Sequence, residues 1–231
     1  MKDGFIKVAA GTPDVQVADC EFNASEIIKM VHEMEAEGAK VMVFPELCIT
    51  AYTCGDLFWQ ENLLEEAKKQ LFRIAEETKD VEALIFVGLP LEYKGKLYNV
   101  AAGLNHGEVL GFVPKIHIPN YNEFYEARYF TSGENVDGTV TVRTEDYGFC
   151  HMDELDDNDD VEFDLEAEIE ALEEEEFEEL EEVEDDPDYI DEDEEELMEQ
   201  DIPISSNILF TCPDMPKLRI AAEICEDLWV L

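Results

Sequence analysis

The stretch Val41-Met42-Val43-Phe44-Pro45-Glu46 (VMVFPE) decides the reading of the fold. Four consecutive apolar residues form a short buried strand, and the proline closes it with Glu46 at its end. Upstream, Phe5 to Ala10 reads as a first strand. Ile27, Val31 and Met34 then recur at helical spacing, with Asn23 or Ser25 as the expected cap and Gly38 as the expected stop. Downstream, residues 60–78 carry Leu63, Leu64, Ala67, Leu71, Ile74 and Ala75 on one side of a second helix, and Ala83 to Leu89 is another apolar strand. The order β-α-β-α-β is that of a sheet covered by helices.

The pattern then changes. Lys94-Gly95-Lys96 signals a turn, Leu97 to Leu104 a strand, Asn105-His106-Gly107 a hairpin turn, and Glu108 to Val113 the returning strand. Lys115 sits just past it, and Pro119 to Phe130 reads as a loop. Late in the chain, Ile208 to Thr211 and Leu218 to Ile224 read as two more strands, the second running into Cys225-Glu226-Asp227.

Charge is the oddity of this chain. Its 231 residues hold 60 Asp or Glu against 15 Lys or Arg, a net charge of -45. Asp153 to Asp201 alone contains 31 of those acids and no base, so the remainder has 29 acids against 15 bases. Three regions follow: 1–148 and 202–231 as parts of one α/β domain, separated by a polyacidic insertion at 149–201. Within that insertion Val161, Leu165, Ile169 and Leu172 fit a helical stripe, yet Val161, Phe163, Leu165, Ala167 and Ile169 also alternate at period two. With no opposite charges for i,i+4 pairing, the expectation is a disordered or weakly helical segment. Asp156, Asn158 and Asp160 have the spacing of a calcium loop, but Val161 replaces its glycine and Ala167 its bidentate glutamate.

This charge excludes binding to nucleic-acid backbone, which needs clustered Lys and Arg, and it opposes anionic membranes. No run of 18 apolar residues offers a spanning helix, and the first ten residues lack the apolar core of a signal peptide. The scattered Cys20, Cys48, Cys54, Cys150, Cys212 and Cys225 read as reduced thiols, and the cytoplasm is the expected compartment. His32-Glu33 begins like a zinc-protease helix, but Ala36 stands where the second histidine belongs; no metal site is expected.

Three segments place a reactive side chain at the end of an apolar strand: Glu46 in FPEL, Lys115 in VPK, and Cys225 in EICED. A thiolate attacks acyl carbon, a carboxylate carries its proton, and an ammonium steadies an oxyanion. Residue types alone leave open a surface Glu, a surface Lys and a small buried Cys.

Phe44 to Phe58 (FPELCITAYTCGDLF), Pro114 to Glu134 (PKIHIPNYNEFYEARYFTSGE) and Leu218 to Trp229 (LRIAAEICEDLW) resemble the three signature stretches of the nitrilase, or carbon-nitrogen hydrolase, superfamily. The CGDLF and PNYNEFYE wording is most similar to the branch formed by the N-terminal glutaminase domains of glutamine-dependent NAD synthetases. That resemblance implies an α-β-β-α sandwich and hydrolysis of glutamine to glutamate and ammonia through a cysteine thioester. It implies Cys225 as nucleophile, Glu46 as general base and Lys115 as oxyanion partner. Glu126 then matches a second carboxylate near the nucleophile, in preference to Glu123, and Tyr52, Tyr121 and Phe124 match the glutamine pocket. The amidase part needs no cofactor, since ATP and magnesium belong to a synthetase domain whose Ser-Gly-Gly-x-Asp-Ser stretch is absent here. The expected partners are that domain or subunit and further copies of the chain. His106 and His117 stay structural or solvated in this reading.

The chain departs from the branch at Ala51, where glycine is usual, in its acidic insertion, and in stopping at Leu231. The last implies a C-terminally truncated copy that folds poorly and turns over little glutamine by itself. Two other functions compete: a stand-alone amidase for another small amide, and a non-catalytic interaction protein on an amidase scaffold.

Overall fold

The computed structural model describes residues 5–143, 199–213 and 215–228. Strand β1 (Val8–Ala10) leads to helix α1 (Cys20–Ala36), β2 (Val41–Val43), α2 (Glu61–Glu77), β3 (Leu84–Tyr93), β4 (Lys96–Asn105) and β5 (Glu108–Pro114). Then come β6 (Asp137–Arg143), β7 (Glu199–Ser205), β8 (Phe210–Cys212) and β9 (Met215–Ile220). The first seven strands form one sheet in the order β1-β2-β3-β4-β5-β7-β6, and β8 and β9 form a separate ribbon. Strands β1, β2 and β3 run parallel, as helical crossovers require, while β3, β4 and β5 are hairpin partners. The hairpin turns form where Lys94-Gly95 and His106-Gly107 adopt positive φ.

The pleat of β3 sorts its side chains into two cores. Ile85, Val87, Leu89 and Leu91 join Ile27 and Val31 of α1 and Leu64, Ala67, Leu71 and Ile74 of α2. Phe86 points the other way and packs with Val113 and Phe210, flanked by Ile208 and Ile220. The Phe86 and Phe210 rings meet edge to face at 5.1 Å. The layers are therefore helices, large sheet and ribbon, the α-β-β part of the nitrilase-like sandwich. Every apolar position expected on α2 is buried.

Helix α1 begins earlier than expected. Its cap is Asp19, whose carboxylate accepts the Phe22 N–H at 3.0 Å. Asn23 is instead buried within the helix, where its amide donates to the carbonyls of Gln16 (2.8 Å) and Ile49 (2.9 Å). Gly38, at φ +82°, ends the helix as foreseen, with Ala39 N–H bonding back to Met34 O at 3.0 Å. The first strand is shorter than Phe5 to Ala10, and β9 stops at Ile220 rather than Ile224 because β8 offers Phe210 as its last pairing partner.

Strands β6 and β7 escape the sequence reading. They pair antiparallel from Asp137↔Ser205 to Arg143↔Glu199, and β7 joins β5 at Phe112↔Ile204. Glu199, Gln200 and Asp201, read as the end of the acidic run, thus belong to a sheet strand. The run's other residues, with Cys150 and the calcium-like Asp156, Asn158 and Asp160, lie outside the described residues. Among the described residues no helix is long and apolar enough to cross a membrane.

Candidate active site

Glu46 leaves the sheet where β2 ends. Phe44 N–H still bonds Phe86 O at 2.9 Å, and the chain then folds into a tight turn with Leu47 at φ +54°. That turn lies directly on β3 at Gly88: a β-carbon there would stand 2.4 Å from Leu47 N and 2.9 Å from Pro45 O. Only glycine admits this approach. Lys115 follows β5 and is pinned on both sides of its peptide plane, its N–H to Asn99 O and its C=O to Gly133 N–H, each at 2.8 Å. Glu126 opens a one-turn 3-10 helix in the loop that was expected between Pro119 and Phe130.

These three side chains meet. The Lys115 ammonium, fully buried, lies 2.6 Å from Glu46 Oε1 and 2.9 and 2.8 Å from the two oxygens of Glu126. Tyr52 OH donates to Glu126 Oε1 at 2.6 Å. Asn99 Nδ2 donates to Glu46 Oε1, the same oxygen that Lys115 engages. A buried cation without such partners would be costly; here two carboxylates surround it. Burial raises the Glu46 carboxyl above the usual carboxylate range, against the opposing pull of Lys115. Burial pulls the Lys115 ammonium down, but its hydrogen bonds to Glu126 and Glu46 outweigh this and leave it raised.

Cys225 approaches from the ribbon side. It starts a short 3-10 turn, Cys225–Leu228, with its own backbone in the left-handed region at φ +48°. Together with Glu46 and Asn99 it lines a cavity of about 480 Å³ between strands β2, β3 and β4 and the segment 220–225. The residue is exposed, yet partial desolvation of its thiol raises the pKa. The positive charge of Lys115 works to lower it, and Glu46, Glu126 and Glu226 raise it again. The resting sulfur is therefore a thiol, which needs a base before it can attack.

The turn that carries Cys225 is fastened by Asp227. Its carboxylate accepts the backbone N–H of His117 at 2.6 Å, of Ile116 at 3.1 and 3.2 Å, and of Ile224 at 3.4 Å. Those first two amides directly follow Lys115, so one side chain ties the cysteine turn to the lysine segment. Glu226 beside it accepts from Tyr121 OH at 2.9 Å, and the Tyr121 ring meets Phe124 edge to face at 5.7 Å.

The structure brings some of the residues singled out in the sequence together and leaves others apart: Tyr52, Tyr121 and Phe124 do not line the cavity of Glu46 and Cys225. Glu46, Lys115 and Glu126 form one hydrogen-bonded cluster, Tyr52 caps it, and Cys225 shares the cavity of Glu46. Tyr52 is 39% exposed rather than a core aromatic, Tyr121 is exposed, and Phe124 is half-buried. Asn99 and Asp227 were not singled out. Asn99 had a signal, a lone amide inside the apolar strand LYNVAAGL. Ala51, the departure from glycine, has φ +67°, so its backbone does sit where glycine is favoured. A thiol and a carboxylate of raised pKa on one cavity, with an ammonium hydrogen-bonded behind the carboxylate, are the groups that acyl transfer uses.

Residues 7–151 match the carbon-nitrogen hydrolase family. The glutamine-dependent NAD(+) synthetase of Mycobacterium tuberculosis (strain ATCC 25618 / H37Rv) is 35% identical over 146 residues, 63% of this chain and 22% of that protein. The enzyme of the same name from Aquifex aeolicus is 39% identical over 118 residues, 51% of this chain and 20% of its own. The chain thus spans about a fifth of the length of these curated relatives. Among solved structures, a glutamine-dependent NAD(+) synthetase from Cytophaga hutchinsonii superposes with a TM-score of 0.65 at 23% identity, covering 96% of this chain and 28% of that one. At that identity the likeness speaks for the fold.

Proposed function

Because the chain belongs to the carbon-nitrogen hydrolase family, we propose that its site hydrolyses the side-chain amide of glutamine, as the glutaminase portion of a glutamine-dependent NAD synthetase. The observation that carries this reading is that Glu46, which shares a cavity with Cys225, is hydrogen-bonded to the Lys115 ammonium, itself held by Glu126. In the proposed cycle the Cys225 sulfur gives its proton to Glu46 and forms a bond to the amide carbon. Lys115 and a backbone N–H near the cysteine hold the oxyanion. Glu46 returns the proton to the amide nitrogen, the C–N bond breaks, and ammonia leaves a thioester. Water then attacks the thioester carbon and gives Glu46 a proton. The C–S bond breaks, the sulfur recovers that proton, and glutamate departs. Glu126 fixes the Lys115 ammonium; Tyr52, Tyr121 and Phe124 are assigned to the glutamine pocket by the family resemblance alone, since none of them lines the cavity of Cys225.

These steps draw on side chains and a backbone N–H of this chain, with water as the second nucleophile. Ammonia passes in this reading to a synthetase domain or subunit, which supplies the ATP and magnesium chemistry. The family habit of associating through the amidase part points to a homo-oligomer, and the free thiols suit the cytoplasm.

The test is covalent capture of Cys225 by a glutamine-mimicking electrophile, run beside an assay of ammonia release from glutamine and from other small amides. Selective labelling is expected, lost in Cys225→Ala and slowed by about 10²–10⁴ in Glu46→Gln, the range of a general base. Equal labelling of every exposed cysteine overturns the reading. Capture by a different amide mimic alone replaces glutamine with that substrate.

A further inference from the structure

Both hydrogen bonds that Glu46 receives fall on one of its oxygens. Lys115 Nζ reaches Oε1 at 2.6 Å, and Asn99 Nδ2 donates to the same Oε1. Among the described residues Oε2 receives none. A carboxylate oxygen that already accepts two strong donors has little lone-pair density left for a proton, so the two oxygens are inequivalent.

Asn99 is an unusual choice for its position. It is 1% exposed, in a strand whose neighbours are apolar, and its Oδ1 is buried with no hydrogen-bond partner. An orphaned buried acceptor is destabilising, and a leucine there would avoid it. Stability therefore does not account for the amide, whereas its Nδ2 contact with Glu46 does.

We propose that Asn99 is a positioning residue: with Lys115 it occupies Glu46 Oε1 and thereby turns Oε2 to the cavity as the atom that takes the Cys225 proton. This rests on the glutaminase reading above and adds to it a residue and an atom. The groups that face Glu46 are Lys115 from the end of β5, Glu126 from the loop, Cys225 from the ribbon-side turn and neutral Asn99 from β4; Glu223 also lines the cavity. Asn99 lowers the pKa of Glu46 by its hydrogen bond, opposing burial and the charge of Glu126. Since the base must be ionised, the rate falls as pH drops through that pKa. Removing the Asn99 hydrogen bond moves this acid limb to higher pH.

The experiment compares wild type, Asn99→Leu and the isosteric Asn99→Asp, following Cys225 labelling by the glutamine mimic from acid to neutral pH, with thermal melting of each. Asn99→Leu is expected to melt no lower than wild type, to move the acid limb to higher pH, and to lower the plateau rate by about tenfold or more. Asn99→Asp keeps the shape and sets a second carboxyl beside Glu46, so its limb moves at least as far. If the limb stays in place in either folded variant, the proposal is overturned. Glu46→Gln separates the two readings. Should it abolish the limb while the Asn99 variants leave it unmoved, the base assignment stands and the Asn99 role falls. Should it leave the limb intact, the glutaminase mechanism itself fails.

Discussion

Two halves of the site are built on different principles. In the Glu46–Lys115–Glu126 cluster Lys115 and Glu126 are buried and Glu46 is half-buried, two of the three follow sheet strands, and both carboxylates engage the one ammonium. The Cys225 turn is exposed, sits in a left-handed backbone conformation, and owes its place to one carboxylate, Asp227. The acid–base half is thus fixed by the same forces that hold the sheet together. The nucleophile half is an attachment. Damage to the first should unfold the protein, and damage to the second should silence it while leaving it folded.

The largest effect is expected from Lys115→Met. Removing one partner of a buried ion cluster costs about 3–5 kcal/mol, because Glu46 and Glu126 are left facing each other without a cation. The loss also has a sign in pH. Glu46, already raised by burial, loses the Lys115 contribution that lowers it and rises further above its unfolded value, so the deficit is greatest at neutral pH and shrinks as pH falls toward the usual carboxylate range. Urea melts at neutral and mildly acidic pH check this, and a variant as stable as wild type at neutral pH would show that the cluster is not structural.

Asp227→Ala attacks the other half. Three backbone N–H groups lose a charged acceptor, so stability drops by about 1–3 kcal/mol. Labelling of Cys225 should fall by about 10²-fold, since a displaced nucleophile loses far more rate than stability. Melting and labelling measured on one preparation separate the two. If the melting point collapses while the surviving folded fraction labels normally, the contrast between the halves is wrong.

The smallest effect is Ala51→Gly. At φ +67° an L-side chain is strained, and glycine relieves it. A gain of about 1 kcal/mol is expected from the urea midpoint, with Cys225 labelling unchanged. A loss would mean that the buried methyl outweighs the strain.

What the sequence announced and what it concealed divide along lines of distance. Helix α2 and the β3–β4–β5 meander are legible because periodicity and turn residues are local signals. Strand β6 (DGTVTVR) is half-exposed and polar, and β7 (EQDIPIS) contains proline and adjoins an acidic run, so neither carries an apolar signature. Glu46, Lys115 and Cys225 were readable as strand-end groups whose motifs resembled a family. Asn99 and Asp227 were not, since each acts across the fold: Asn99 on Glu46, 53 positions away, and Asp227 on His117, 110 positions away. Asn23 misled because an amide before a helical pattern resembles a cap, while its partners, Gln16 and Ile49, lie outside the helix.

The negative charges around Cys225 outnumber its one cation, and this shapes how the protein weathers its surroundings. A sulfur kept protonated until an amide arrives is a poor target for peroxides and stray alkylators, which react with the ionised form. Reactivity withheld until the substrate is seated gives the nucleophile a long working life.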